Sequence, residues 1–384
     1  AEESARIGAV SAVQADVDQN ELDAASAVAA EESRALGEEA ANATAISDEI
    51  ARASLIESAL LDRVEAIEAG SRTIYVDSNR TDSYTANGSR PLPYKDLPDC
   101  CAVHVTDSST ETVVIKLAPG DYSGVEINKT NANQSVTIQG SGRNSTFIGS
   151  ASYAASGQTT AILYLRDFKD VCVRDLTLQN TKTYGFYPRD CAKVELRNVN
   201  LRRCGSDGTV ANHDFSQDQV TQKAAWDAKV HMDNGGATRI QSCQLAIVSN
   251  CNVEYCLRGL RLQDVGSGIV TNNNIYRTLE SGIYCASGSY GNQHGCDQFL
   301  ISGNRLEACF NNSILVIGGR NNTVTGNDVI GGANAAIQAY STMDLRCTGN
   351  TLTRCNRKSY NGIGNNGDAQ ASIVFAGNTG MIAA

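Results

Sequence analysis

The chain has 384 residues, room for more than one structural unit, and a formal charge of −10. That charge sits in residues 1–70, where sixteen Asp and Glu face four Arg and no Lys; the remainder holds 26 acids against 28 bases, a net of +2. With no basic block, no signal-peptide core and no stretch of about 18 apolar residues, neither nucleic-acid binding nor membrane insertion is expected. The start at Ala1 without Met is that of a fragment or a processed chain.

Residues 1–70 are predicted helical. They contain no Pro, only Gly8, Gly37 and the closing Gly70, and are rich in Ala and Glu. Apolar residues alternate by four and three through Ile46, Ile50, Ala53, Leu60, Val64 and Ile67, with Glu57 as one polar exception, and the series extends back through Ala43 to Leu36. This is a heptad seam. A single helix of that length cannot bury its seam alone, so it predicts partners: an oligomeric coiled-coil stem, with a folded-back helical bundle as the alternative. The seam is weak in the first forty residues.

The body repeats itself. Eight strings align, from Val173-Arg174-Asp175-Leu176-Thr177-Leu178 through Ile301-Ser302-Gly303-Asn304-Arg305-Leu306 to Phe375-Ala376-Gly377-Asn378-Thr379-Gly380. Their third residues step by 23, 52, 22, 31, 23, 23 and 28. The period is therefore 22–23 residues, with insertions. The third position holds only Asp, Asn or Gly, the residues that best tolerate a left-handed backbone, so a bend is expected there in each turn. The first and sixth positions are apolar and point inward. The fourth runs Leu176, Val199, Cys251, then Asn273, Asn304, Asn327, Asn350 and Asn378, which predicts a stacked amide ladder. Six residues after the bend, Thr181, Cys204, Cys256, Thr278, Cys309, Gly332 and Cys355 form a small inward column. A further element is expected about ten residues after the bend, at Gly185-Phe186, Gly208-Thr209, Gly259-Leu260, Gly282-Ile283 and Gly362-Ile363. Short strands bounded by bends at this period stack into a parallel solenoid. Most of the thirteen cysteines thereby become small buried thiols, and no Cys/His spacing suggests zinc.

Between stem and repeats lie Ile74-Tyr75-Val76-Asp77, Asn87-Gly88-Ser89-Arg90-Pro91, a predicted helix near 96–104, the strand Val113-Val114-Ile115-Lys116-Leu117, and Ala118-Pro119-Gly120-Asp121-Tyr122. This resembles the opening of pectate-lyase-like right-handed β-helix proteins, including phage tailspikes. The stem is similar to coiled-coil segments of cyanophage-type tail fibres. The resemblance implies a mainly β, right-handed parallel β-helix behind a helical stem, with 1–70 as stem, 71–112 as linker and cap, and 113–384 as β-helix carrying insertions at about 205–243 and 286–298. It further implies a homotrimeric virion fibre, folded in a host cytoplasm. The fold hosts lyases, hydrolases, epimerases and inert adhesins alike. The polygalacturonase catalytic set is missing, and Tyr187-Pro188-Arg189-Asp190, which slightly resembles a lyase arginine motif, reads more simply as a loop corner.

The insertions supply the candidate site. The longer holds Asp207, His213, Asp214, Asp218, Trp226, His231 and Asp233; the shorter holds Tyr290, His294 and Asp297. Both are expected to leave at one corner, after the second strand of their turn, together with extra residues from Ser150 to Gln158. Trp226, His213, His231, Asp233, Tyr290, His294 and Asp297 are candidates for glycan binding, since aromatic rings with carboxylates suit sugars. Asp207, Asp214 and Asp218 are weaker candidates for acid/base catalysis. The alternative is a polar loop packing on itself or on a neighbouring subunit, and binding or packing ranks ahead of catalysis. The expected function is a tail-fibre adhesin: a parallel homotrimer, joined by its stem to a virion tail or capsid component, contacting host surface polysaccharide. A glycan depolymerase and a purely architectural fibre are the alternatives. No cofactor or metal is expected.

Overall fold

The computed structural model describes residues 2–68, 71–107, 110–130, 133–149, 160–205, 235–286, 296–331, 335–340, 342, 344–353, 374–376 and 378–379. The chain divides into two compact units, 1–69 and 70–384.

The first unit is one α-helix, Glu2–Glu68, that runs through Gly8 and Gly37 without a break. Its apolar side chains include Ile7, Val10, Leu22 and Leu36, which are 61%, 65%, 65% and 67% exposed.

The second unit is a solenoid of three parallel sheets with eleven, nine and eight strands. Sheet I contains Val76's strand 71–76, then 112–117, 135–139, 170–174, 193–197, 245–249, 267–271, 299–302, 323–325, 346–348 and 374–376. Sheet II begins at 120–122 and 146–149 and continues through 177–181, 200–204, 252–256, 274–278, 305–309, 328–330 and 351–353. Sheet III comprises 125–128, 161–166, 184–189, 236–241, 260–263, 283–286, 312–317 and 335–340. The chain visits I, II and III in turn, and each strand pairs in register with its equivalent one turn away, as Leu196 pairs with Val173 and Val248.

The predicted bend column joins sheets I and II. Asp175, Asn198, Asn250, Asn272, Gly303, Gly326 and Gly349 all have positive φ, between 54° and 64°. A second left-handed column stands five residues on, at Asn180, Arg203, Tyr255, Arg277, Ala308 and Gly331. Residue type does not announce that column. At the corner between sheets II and III the backbones close tightly: a Cβ on Gly259 would lie 2.0 Å from the Gly282 carbonyl oxygen, and one on Gly282 would lie 2.7 Å from the Cys309 sulfur. Those are the glycines of the Gly-Leu and Gly-Ile pairs.

The apolar columns face inward as the alternation requires. Val173, Leu196, Val248, Val270, Ile301 and Val324 of sheet I and Leu178, Leu201, Val253, Ile275, Leu306 and Val329 of sheet II are fully buried. Each such side chain contributes about 1.5–3 kcal/mol. Thr181, Cys204, Cys256, Thr278 and Cys309 form the small inward column, and eleven of the twelve described cysteines are buried thiols. Burial pushes the Cys251 and Cys347 thiols up to about 12.

The amide ladder forms along the bends. The Asn304 side-chain amide donates to Asn327 Oδ1 at 2.9 Å, Asn327 to Asn350 at 2.9 Å and Asn350 to Asn378 at 2.9 Å. The same oxygens accept the backbone N–H of the preceding Asn, and each Nδ2 also reaches a sheet I carbonyl, as Asn327 reaches Ile301 at 3.0 Å. Every polar atom is thus answered inside an apolar wall.

The helix Leu97–His104 covers the open end. Asp96 Oδ1 accepts from Leu97 N at 2.8 Å and from Ser123 N at 3.2 Å, which ties the helix start to the first turn. Its own Leu97, Cys100, Cys101 and His104 form its buried face. Strand 71–76 is the first rung of sheet I, paired to 112–117.

Candidate functional site

Of the ten residues proposed from sequence, Asp207, His213, Asp214, Asp218, Trp226, His231, Asp233, Tyr290 and His294 lie outside the described residues. Asp297 is described: its Oδ1 accepts the Arg320 backbone N–H at 2.7 Å, which ties one turn to the next.

The expectation of one shared corner is corrected by the strands that bound the insertions. Residues 150–159 and 206–234 both fall between a sheet II strand and a sheet III strand. Residues 287–295 follow the sheet III strand Ile283–Ala286 and precede sheet I. The insertions therefore leave from opposite edges of sheet III. The error came from taking Gly208-Thr209 as the second element of its turn; the sheet III strand of that turn is Gly236–Gln241, paired to 184–189 and 260–263, so the longer insertion ends sooner than residue 243.

This places the outer face of sheet III between the two edges. Strand alternation sets what it presents. One outward row reads Glu126, Tyr164, Tyr187, Arg239, Arg261, Tyr284, Leu315, Gln338 in register. It includes part of Tyr187-Pro188-Arg189-Asp190, which is strand through Arg189 and turns only at Asp190, φ 55°. Rings and guanidinium groups interlock here. Tyr187 meets Tyr164 and Tyr184 edge to face, with ring centres 5.2 and 5.5 Å away. Arg239 lies over Tyr187 at 5.0 Å and Arg261 over Tyr284 at 5.3 Å. Tyr187 donates to Gln241 Oε1 at 2.5 Å, and Arg261 Nη1 to Tyr184 Oη at 3.5 Å. Burial raises the Tyr187 phenol above its ordinary value, with Arg239 acting the other way, so the hydroxyl stays protonated.

Beside this row a small open cleft is lined by Arg258, Gly259, Arg261, Glu280, Ser281 and Tyr284. Arg258 Nε pairs with Glu280 Oε2. Ser281 Oγ is buried with no hydrogen-bond partner among the described residues. Among the described residues no group of His, Cys, Asp and Glu could hold a metal ion. Sequence reading missed this face because Tyr and Arg in a strand look like ordinary solvated positions. The signal was their recurrence at one register, Tyr164, Tyr187, Arg239, Arg261 and Tyr284, which needs the third strand correctly placed.

Residues 123–356, more than half of the chain, match the family described as right-handed β-helix region, and the chain belongs to that family. None of the curated proteins matches the sequence. Among solved structures, the chain is similar to a pectin methylesterase in complex with hexasaccharide VII, at 10% identity over 70% of this chain and 80% of that one, TM-score 0.34. It is similar to the pectin methylesterase PemA from Erwinia chrysanthemi, at 10% identity over 72% and 78%, TM-score 0.33. The A-module of the Azotobacter vinelandii mannuronan C-5 epimerase AlgE4 is 11% identical over 79% of this chain and 99% of that module, TM-score 0.29. Nothing about this chain's ligand rests on those three.

Proposed function

We propose that this protein is a saccharide-binding β-helix of the adhesin kind, with the outer face of sheet III as its binding surface. The observation that carries the reading is the register-matched row of Tyr164, Tyr187, Arg239, Arg261 and Tyr284 on the one face whose two edges bear the insertions. Tyrosine faces pack against sugar rings while their hydroxyls, with Gln241 and Gln263, supply hydrogen bonds. Insertions at both edges suit recognition of a long chain lying across the rungs. The test is a glycan array probed with the full chain and with the Tyr187→Ala, Tyr284→Ala double variant. Binding lost in a folded variant is the expected result; binding unchanged would move the surface elsewhere.

The setting we propose is a virion fibre. The helix Glu2–Glu68 leaves Ile7, Val10, Leu22 and Leu36 exposed on a single chain, which a parallel coiled-coil homotrimer would cover. Such a stem would join the solenoid to a tail or capsid component, and the solenoid would meet host surface polysaccharide. Sedimentation of the full chain at three times the mass of one subunit is the expected outcome, and a monomer would overturn it. Glycan cleavage at the same face is the second reading, favoured by the position of Asp207, Asp214 and Asp218 in the insertion between a sheet II strand and the sheet III strand Gly236–Gln241. Release of reducing ends from a bound polysaccharide separates the two.

A further inference from the structure

We infer that the glycan taken by this face carries anionic groups, carboxylate or sulfate, and that Arg239 and Arg261 hold them. The inference rests on the saccharide reading above and adds a charge to it.

Arg239 and Arg261 are register partners on neighbouring strands, so their backbones stand roughly 4.8 Å apart. Several other arginines on the solenoid surface have carboxylate partners: Arg166 and Arg189 with Asp190, Arg197 with Glu195, Arg202 with Glu254, Arg258 with Glu280, Arg305 with Glu307. Arg174 meets the neutral Gln139, and Arg277 lies over the Tyr255 and Tyr276 rings. Arg239 and Arg261 are of this second kind, and they stand on adjacent rungs. Their partners are the neutral Gln263 Oε1 at 3.4 Å, Tyr184 Oη at 3.5 Å and the tyrosine rings. The Nε of each is buried and has no hydrogen-bond acceptor among the described residues.

That arrangement is costly without a ligand. Two like charges on adjacent rungs repel, and ring faces offset only part of it. An anionic oxygen pair laid across both guanidinium groups removes that repulsion, and this is the geometry for which arginine is suited. The charge belongs to a saccharide rather than a nucleic acid, because residues 71–384 carry a net charge of only +2 and this face offers two guanidinium groups without a carboxylate partner among the described residues, not a basic stripe. The Tyr187 and Tyr284 rings beneath the two guanidinium groups hold the pair in place.

The test compares matched neutral, uronate-bearing and sulfated members of the same oligosaccharide backbones, with the full chain as the probe at two salt concentrations. At least tenfold tighter retention of the acidic members, weakening at the higher salt, is expected. In an Arg239→Gln, Arg261→Gln double variant the ratio of acidic to neutral retention should fall to about one. An Arg239→Lys, Arg261→Lys variant keeps the charge and loses the fork; it should hold part of the preference, and it stands in if the Gln pair fails to fold. Equal retention of neutral and acidic members by the wild type would overturn the anionic assignment and leave the saccharide reading intact. An undiminished acidic preference in a folded Gln variant would overturn the assignment to these two arginines. Retention of no glycan at all would overturn the saccharide reading itself.

Discussion

The same bend is built in two ways along this solenoid. In the first three repeats, the residue after the left-handed position is apolar, as Leu176, Val199 and Cys251; from Asn273 onward it is an amide that continues to Asn378. The first solution needs only burial, so each turn stands largely by itself. The second links turns: Asn273, Asn304, Asn327 and Asn350 each donate forward, and each oxygen after Asn273 accepts two N–H groups from the turn before. Asn273 is the junction, where its oxygen accepts only the Cys251 backbone N–H at 2.9 Å. Identical topology therefore supports a segment of near-independent rungs followed by one in which a fault at any rung reaches its neighbours.

The sharpest way to break this contrast is Asn327→Leu. It removes the acceptor for both the side-chain and backbone N–H of Asn304 and takes the donor from the Ile301 carbonyl and from Asn350 Oδ1. With two or more buried groups left unmade, the expected loss is about 3–5 kcal/mol, read as a fall in denaturant midpoint. A midpoint within error of the wild type would mean that the ladder carries no stability. Leu176→Ala, in the apolar segment, should cost about 2–4 kcal/mol, through burial and cavity alone. Combined with a second apolar-segment change two rungs away, such as Val253→Ala, its cost should add; Asn304→Leu with Asn327→Leu should not.

The bend positions and the amide ladder were legible because each demands a particular residue type. Asp, Asn and Gly at the left-handed site, followed by Asn five times, form a column that survives insertions. The third sheet was less legible. Its strands are marked only by Gly at a tight corner, and the pair Gly208-Thr209 imitates that mark inside an insertion while the true strand begins at Gly236. One wrong strand moved an insertion to the wrong edge, and with it the row of Tyr and Arg that makes the candidate face. The second left-handed column was illegible for a different reason: Arg203, Tyr255, Arg277 and Ala308 have no preference for positive φ, and the fold imposes it on them.

A smaller effect distinguishes the two ends by pH. The downstream ladder is made of amides, which do not titrate between pH 4 and 9. Beneath the capping helix, His104 is buried, its Nε2 3.1 Å from Tyr94 Oη. Burial, reinforced by Arg72 and opposed by Glu111, lowers its pKa below the ordinary histidine value. Between that lowered pKa and about pH 6.5 the unfolded chain binds more protons than the folded one, so stability rises with pH across the window. The contribution is complete above about pH 6.5, declines as the pH falls below it, and changes no further once the folded imidazole is itself protonated. Hydrogen exchange at pH 7.5 and 5.5, corrected for intrinsic rates, should show the capping helix and strand 112–117 loosening at the lower pH while strands 323–325 and 346–348 hold. His104→Gln should remove the difference, and a uniform response along the solenoid would deny the cap its separate behaviour.

The smallest expected effect runs in the stabilising direction and uses the second left-handed column. Ala308 sits at φ 56°, between the Leu306 wall and Cys309, where an L-residue's Cβ crowds the following carbonyl at about 1–2 kcal/mol. The equivalent position one turn later is already Gly331, at φ 69°. Glycine relieves that crowding but brings back unfolded-chain freedom, which offsets about 0.5–1 kcal/mol of the gain. Ala308→Gly should therefore raise stability by about 0.5–1 kcal/mol, read from the denaturant midpoint at unchanged slope. The same exchange at Asn180 should yield less, since Asn tolerates the left-handed region better than Ala does. A loss of stability at Ala308 would show that the column is held by side-chain packing rather than tolerated against the backbone's preference. The two left-handed columns would then differ in cause as well as in composition.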